Sequence, residues 1–211
     1  TDAVAAAGHV GLELDDVDML SLSAHKFYGP KGVGVLFVKD GVRLKPMLYG
    51  GKQEKNLRAG TENVAGIVGA AAAMDIAYQT MDDENARLAV LREDVEARIL
   101  QEIEGSVING SGAGRLANYI NVSLPYINAS SALISLDLAG IECAAGSACN
   151  TGSVGTSHVL LAMGPDEAAA KRSIRLTLGA STTKAQLDYT IEHLKQICAG
   201  AASLQMRGVH I

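Results

Sequence analysis

The sequence predicts an α/β fold: the tail of a larger α/β domain over 1–81, then a compact α+β domain over 82–211. Three observations carry this. Two short apolar runs near the start have the length of strands and end at Gly, Pro or Asp turns. A long alanine-rich helical stretch follows them, and past Gly105 the pattern changes to short strands alternating with short helices. With 48% hydrophobic and 19% charged residues in 211, the chain has the composition of a folded protein and the length for a sizeable core.

The first strand is Met19–Ser23 and the second covers 33–38, running into the turn Lys39-Asp40-Gly41. Residues 49–61 are polar and glycine-bearing, which reads as a long functional loop. A helix then presents Ile67, Ala71, Met74 and Tyr78 on one face, its alanines suiting close packing. A second helix is expected over 82–104, with Leu88, Leu91, Val95, Ile99 and Ile103 at helical spacing and an acidic first turn that suits the helix dipole. Beyond it, Val107–Ile108 and 119–124 read as strands, and 132–139 as a helix stopped by Gly140. Residues 142–144 read as a strand entering the small-residue loop 145–155, His158–Met163 as a helix and 174–177 as a strand. The last helix opens at Thr183 with Gln186 three residues on, a capping-box spacing, and its apolar face is Leu187, Ile191, Leu194 and Ile197.

Charge and composition exclude several classes of function. A net charge of −5 with scattered Lys and Arg argues against a nucleic-acid surface. No apolar stretch of membrane-spanning length and no signal-peptide pattern is found, so a cytoplasmic protein is expected. The cysteines Cys143, Cys149 and Cys198 are odd in number and lack CxxC spacing, which suits neither a disulfide framework nor a structural zinc site. The chain opens without Met on what reads as a strand end, the interior of a domain, so a fragment is expected.

The densest chemistry lies in Ser23-Ala24-His25-Lys26-Phe27-Tyr28-Gly29-Pro30-Lys31-Gly32. It sets a lysine beside a histidine where a buried strand meets a Gly/Pro turn, and a lysine placed there faces a desolvation cost unless its amine is used. The common use is a Schiff base to an aldehyde cofactor, with pyridoxal 5'-phosphate the leading candidate. A surface lysine at a strand-to-turn junction accounts for this segment equally well. Asp2 shifts the balance, because that cofactor needs a carboxylate against its pyridinium nitrogen and Asp2 sits on a neighbouring strand end. Ser23 and His25 can donate to a phosphate or satisfy local backbone.

Two residues in the second half add to this. Cys149 lies among small polar residues in Gly146-Ser147-Ala148-Cys149-Asn150-Thr151-Gly152, where a thiol can act as a nucleophile, whereas Cys143 and Cys198 fit buried, hydrophobe-like positions. Arg175 sits in the apolar strand Ser173-Ile174-Arg175-Leu176-Thr177 and needs an anionic partner, either a substrate carboxylate or, the simpler reading, an internal Asp or Glu.

Taken in order, these segments together with Gly50-Gly51-Lys52-Gln53-Glu54 and Arg58-Ala59-Gly60-Thr61-Glu62-Asn63 resemble the cysteine desulfurases, class V aminotransferase relatives on the fold-type-I scaffold. The resemblance spans nearly the whole chain and covers only the C-terminal portion of that family: the end of its cofactor-binding large domain, then its small domain. It implies that Lys26 carries the cofactor and shuttles the Cα proton of L-cysteine, with Asp2 keeping the pyridine nitrogen protonated. It implies that Ser23 and His25 bind the phosphate, His25 counting with Lys26 and Cys149 as catalytic, and that Thr61 reaches the phosphate of the opposite subunit in a homodimer. Arg175 would clamp the substrate carboxylate. Cys149 would take the substrate sulfur as a persulfide, release alanine, and pass the sulfur to an iron–sulfur scaffold or another acceptor protein. Neighbouring class V activities, such as selenocysteine lyase or aminotransferase, and a truncated non-catalytic relative are the alternatives.

Two departures stand out. Position 5 is usually Gln in that family and is Ala5 here, which removes a hydrogen bond to the cofactor worth roughly 1 kcal/mol. The resemblance also leaves the family's N-terminal half unmatched, so either another polypeptide is expected to complete the site or the chain is expected to be a remnant or truncated piece.

Overall fold

The computed structural model describes residues 1–145 and 156–207. They form two compact units, Thr1–Asp83 and Glu84–Ile211.

In the first unit, β1 (Met19–Ser23) pairs antiparallel with β2 (Gly34–Val38), in register from Met19 opposite Val38 to Ser23 opposite Gly34. The other side of β1 is occupied by the first residues of the chain. Asp2 bridges Ser21 in parallel, the Ala3 amide donating to the Ser21 carbonyl at 3.0 Å and the Ser21 amide to Thr1 at 3.1 Å. β1 ends in the single 3-10 turn η1 (Ala24–Phe27), closed by the Gly29 amide on the Ala24 carbonyl at 2.9 Å. A Cβ on Gly29 would come within 2.9 Å of both the carbonyl oxygen and the Cβ of Ala24, so this turn closes only around glycine. Residues 53–56 form one turn, α1 (Gln53–Asn56), in which Glu54, Lys55 and Asn56 all have positive φ, unusual for side-chain-bearing residues.

The helix α2 (Val64–Glu102) then runs unbroken for 39 residues. Two helices meeting near residue 81 were expected; the structure has one. The junction Thr80-Met81-Asp82-Asp83 contains neither Gly nor Pro, and acidic residues suited to a helix start do not by themselves stop a preceding helix. The expectation that no apolar stretch reaches membrane-spanning length is corrected too. By length and composition α2 does, with mean hydropathy 1.2 over its most apolar stretch. Its early turns are rich in Ala and Gly, and they use those small residues for close packing. A Cβ on Gly66 would meet a Val33 methyl at 2.6 Å, and one on Gly69 would meet Pro30 at 3.4 Å. The helix therefore lies close against the 27–33 turn, over a small core of Ala7, Ala24, Phe27, Val33 and Ala70.

The second unit is built on the antiparallel sheet β3 (Val107–Ile108), β4 (Tyr119–Ser123) and β5 (Ser173–Thr177), in the order β3-β4-β5. Alternation splits its residues by face. Ile120, Val122, Ile174 and Leu176 join Leu88, Val95, Ile99 and Ile103 of α2 and Leu187, Ile191, Leu194 and Cys198 of α6 (Lys184–Met206) in a continuous buried core. The opposite parity carries Asn121, Ser123, Ser173 and Arg175. α3 (Ala129–Leu138) starts on the Asn128 side chain, and α6 on the expected Thr183–Gln186 capping box. The short helices α4 (His158–Met163) and α5 (Glu167–Lys171) lie between, the second an addition to the expected elements that starts on Asp166. The strand expected over 142–144 is reduced to one bridge, Ala144 to Arg175.

Candidate active site

The first unit gathers four of the expected site residues. Asp2 and β1 run parallel, so the chain leaves both at the same end of the sheet, the carboxyl end at which open α/β sheets bind ligands. Asp2 lies on this edge with its Oδ1 accepting from the Val4 amide at 2.8 Å, a contact that fixes the carboxylate's orientation. Ser23 is the last residue of β1, and its Oγ and the His25 Nδ1 share a hydrogen bond at 2.9 Å. His25 and Lys26 are carried on η1, whose neighbours Ala24 and Phe27 are buried as anchors. The expected desolvation of Lys26 is absent: the side chain is exposed, because η1 buries only its two flanking residues.

Thr61 lies on a different loop. It lines an open cleft of about 240 Å³ together with Gly32, Gly34, Arg58 and Asn63. Two side chains not foreseen in the sequence shape this loop. Gln53 Oε1 accepts the Gly60 amide at 3.2 Å, closing the loop on itself, and the side chain folds back over Gly51, where a Cβ would come inside van der Waals contact of that Oε1. Asn63 accepts the Gly66 amide at 3.1 Å and caps α2. An Asn three residues before a helical Gly is a readable cap signal; the Gln53–Gly60 contact has no counterpart in local sequence.

Arg175 belongs to the second unit. Its backbone exchanges both hydrogen bonds with Ala144, and Asn121 sits opposite it on β4. The guanidinium carbon is 5.7 Å from the Tyr119 ring centre. The Nε is buried without a hydrogen-bond partner among the described residues, and no ion pair among them involves Arg175. The simpler reading, an internal Asp or Glu partner, is not what these residues show.

Cys149 lies outside the described residues. The other two thiols are described. Burial pushes the Cys143 thiol up to about 11, helped by the Asp137 carboxylate, and burial alone pushes Cys198 up to about 11. Both are held as neutral thiols at physiological pH, the unreactive form.

With this geometry in place, comparison with known proteins is specific. The aminotransferase class-V family matches residues 1–190. The chain belongs to that family. Within it, the chain is similar to the cysteine desulfurase IscS of Dictyoglomus turgidum, 47% identical over 199 residues, covering 93% of this chain and 50% of the relative. Among solved structures it resembles a NifS-like protein (36% identity, TM-score 0.83, 94% of this chain and 51% of that one). It also resembles SspA in complex with cysteine (33% identity, TM-score 0.63, 84% and 49%). The fold is thus α/β of the fold-type-I kind, and the chain spans about half the length of the curated relatives it matches.

Proposed function

We propose that this chain is the C-terminal portion of a pyridoxal-phosphate-dependent cysteine desulfurase, with 1–81 closing the cofactor-binding domain and 82–211 forming the small domain. The observation that carries the proposal is the grouping at one sheet edge of a carboxylate, an amine and a hydroxyl–imidazole pair, in a chain 47% identical to a cysteine desulfurase. These residues fit the cofactor's chemistry: Asp2 for the pyridine nitrogen, Lys26 for the aldehyde, Ser23 and His25 for the phosphate. Thr61 would serve the phosphate of a partner subunit in a homodimer. When bound, pyridoxal phosphate supplies the electron sink that makes the substrate's Cα proton removable.

The chain's own groups do the rest. Lys26 moves the proton at Cα. Arg175 takes the carboxylate of L-cysteine, since no ion pair among the described residues occupies its guanidinium. Cys149 attacks the substrate sulfur as thiolate: a bond from its Sγ to that sulfur forms while the substrate's Cβ–S bond breaks, and the freed carbon skeleton takes up protons and leaves as L-alanine. The persulfide then passes to an iron–sulfur scaffold or another acceptor protein. Of the three thiols, the two described are held neutral by burial, which leaves this task to Cys149, five residues beyond the Ala144 that pairs with Arg175. The net charge of −5 and scattered basic residues suit an enzyme working without nucleic acid.

The test uses the full chain, alone and mixed with the first half of a family member. Borohydride in the presence of pyridoxal phosphate should attach the cofactor at Lys26, read by peptide mass. In separate samples never treated with borohydride, L-cysteine should give a persulfide mass on Cys149 together with alanine. Absence of label at Lys26 in both samples would overturn the reading.

A further inference from the structure

An arginine on a half-buried strand is ordinarily held by an acidic side chain, which fixes the guanidinium but also occupies it. Arg175 is held differently. Tyr119 stands two residues before Asn121 on β4, and Asn121 is the residue opposite Arg175, so the ring and the guanidinium are diagonal neighbours on one face of the β4–β5 pair. At that spacing an aromatic side chain reaches its diagonal partner. The guanidinium carbon lies 5.7 Å from the ring centre, inside the range of a cation–π contact. The flank of the pair is fixed as well: Asn121 Oδ1 accepts from Asn109 Nδ2 at 2.7 Å, and Asn109 donates further to Ser123 and Ser173 at 3.0 and 3.1 Å. A ring face orients a cation without consuming a donor. Here the Nε is buried with no hydrogen-bond partner among the described residues, and no ion pair among them takes the outer Nη groups, which are the donors left to a ligand.

We propose that Tyr119 is a positioning residue for a carboxylate-binding subsite, its ring fixing the plane of the Arg175 guanidinium so that the guanidinium's donors stay open to an incoming carboxylate. This rests on the reading of Arg175 as the substrate's carboxylate grip and adds to it a specific partner. The aromatic ring, rather than the hydroxyl, is the active part. Tyr119→Phe therefore keeps the subsite, whereas a non-aromatic side chain of similar bulk loses it.

The experiment is NMR observation of the Arg175 Nε–Hε resonance in the full ¹⁵N-labelled chain, titrated with sodium propionate, a carboxylate without an amine. In the unmodified chain the Hε proton is displaced by the ring current of Tyr119, and propionate moves the resonance saturably. Tyr119→Phe behaves as the parent. Tyr119→Leu loses the ring-current displacement and binds propionate about fivefold more weakly, the scale of a partly desolvated cation–π contact. If Tyr119→Leu does not fold, Tyr119→Met serves in its place, and the ring-current displacement in the parent tests the geometry without any variant. With binding in every variant read on the backbone amides of Asn121 and Leu176 beside position 175, propionate affinity unchanged in Tyr119→Leu, while Arg175→Lys abolishes binding, would overturn the role of Tyr119 and leave Arg175 as the grip. Binding indifferent to Arg175→Lys would overturn the grip itself.

Discussion

The two units of this chain solve the problem of burial in opposite ways. In Glu84–Ile211, Leu, Ile and Val side chains from the sheet, α2 and α6 interlock, and Ile99, Ile120, Val122, Ile174, Ile191 and Leu194 are completely buried. In Thr1–Asp83 the buried cluster is Ala7, Ala24, Phe27, Val33 and Ala70, with three alanines among five residues. Larger apolar side chains of that unit, among them Leu36, Met47, Tyr49, Val64, Val68 and Ile76, lie exposed. At roughly 25 cal/mol per Å² of apolar surface buried, alanines contribute little, so the first unit gains far less from its core than the second. The expected cofactor residues sit on this weaker unit, and a sheet edge that must present Asp2, Ser23, His25 and Lys26 has little apolar surface left to bury.

The largest effect that tests this contrast comes from cutting a hole in the stronger core. Leu194→Ala removes a fully buried side chain and should cost about 3–5 kcal/mol, read as a lower urea midpoint for the second unit. Amide hydrogen exchange gives the sharper form of the test. Protection should fall across β4, β5 and α6 while β1 and β2 keep theirs. Equal losses in both units would show one cooperative structure and erase the comparison.

A smaller effect is expected in the first unit from the turn at Gly29. Gly29→Ala places a Cβ within 2.9 Å of the Ala24 carbonyl oxygen, a contact that must be relieved by moving η1. Overpacking of this kind costs roughly 1–3 kcal/mol. Exchange protection of the β1–β2 ladder should drop, with β4–β5 unaffected. Because η1 carries His25 and Lys26, cofactor labelling at Lys26 should fall in the same variant. Unchanged β1–β2 protection would show that the turn has slack the geometry does not suggest.

How much of this was readable beforehand follows the same division. Elements whose signals are local came out of the sequence: β1, Val107–Ile108, His158–Met163, and α6 with its Thr183–Gln186 box. The break expected near residue 81 misled because acidic residues mark helix starts and helix interiors alike, and only Gly or Pro would have forced the choice. The site was legible as residue types, in Asp2, Ser23, His25 and Lys26. What joins them was not, since the parallel bridge of Asp2 to Ser21 spans 19 residues of sequence and needs the pairing register. Tyr119 was invisible for the same reason, being adjacent to Arg175 only through the β4–β5 register. Lys26 is exposed where its apolar strand predicts burial, because the burial stops at Ala24 and Phe27.

The smallest effect is electrostatic, and it too belongs to the second unit. Arg98 bridges Glu102 and Asp188, Lys184 bridges Asp94 and Asp188, and Lys195 bridges Glu102 and Glu192, linking the surfaces of α2 and α6. Hydrogen bonds from Lys184 and Arg98 hold the Asp188 carboxyl below its ordinary range, and Lys195 and Arg98 do the same for Glu102. A carboxylate with a lowered folded value stabilises the fold wherever it is ionised, and that contribution disappears as pH falls through the lowered value. Arg98, Lys184 and Lys195 are shifted upward, so their contribution is lost only in strong base. At neutral pH the whole network is in force, and acid removes it from the carboxylate side. The urea midpoint of the second unit should therefore hold steady from pH 7 to about 5 and fall below roughly pH 4, where carboxylates begin to protonate. None of these groups is buried and Arg98, Asp188 and Lys195 are only half-buried, so the effect is small and shrinks further in salt. Glu102→Gln and Asp188→Asn together should flatten the acid limb while leaving the midpoint at neutral pH only slightly lower. An acid limb of the same depth in that double variant would place the pH dependence on other carboxylates.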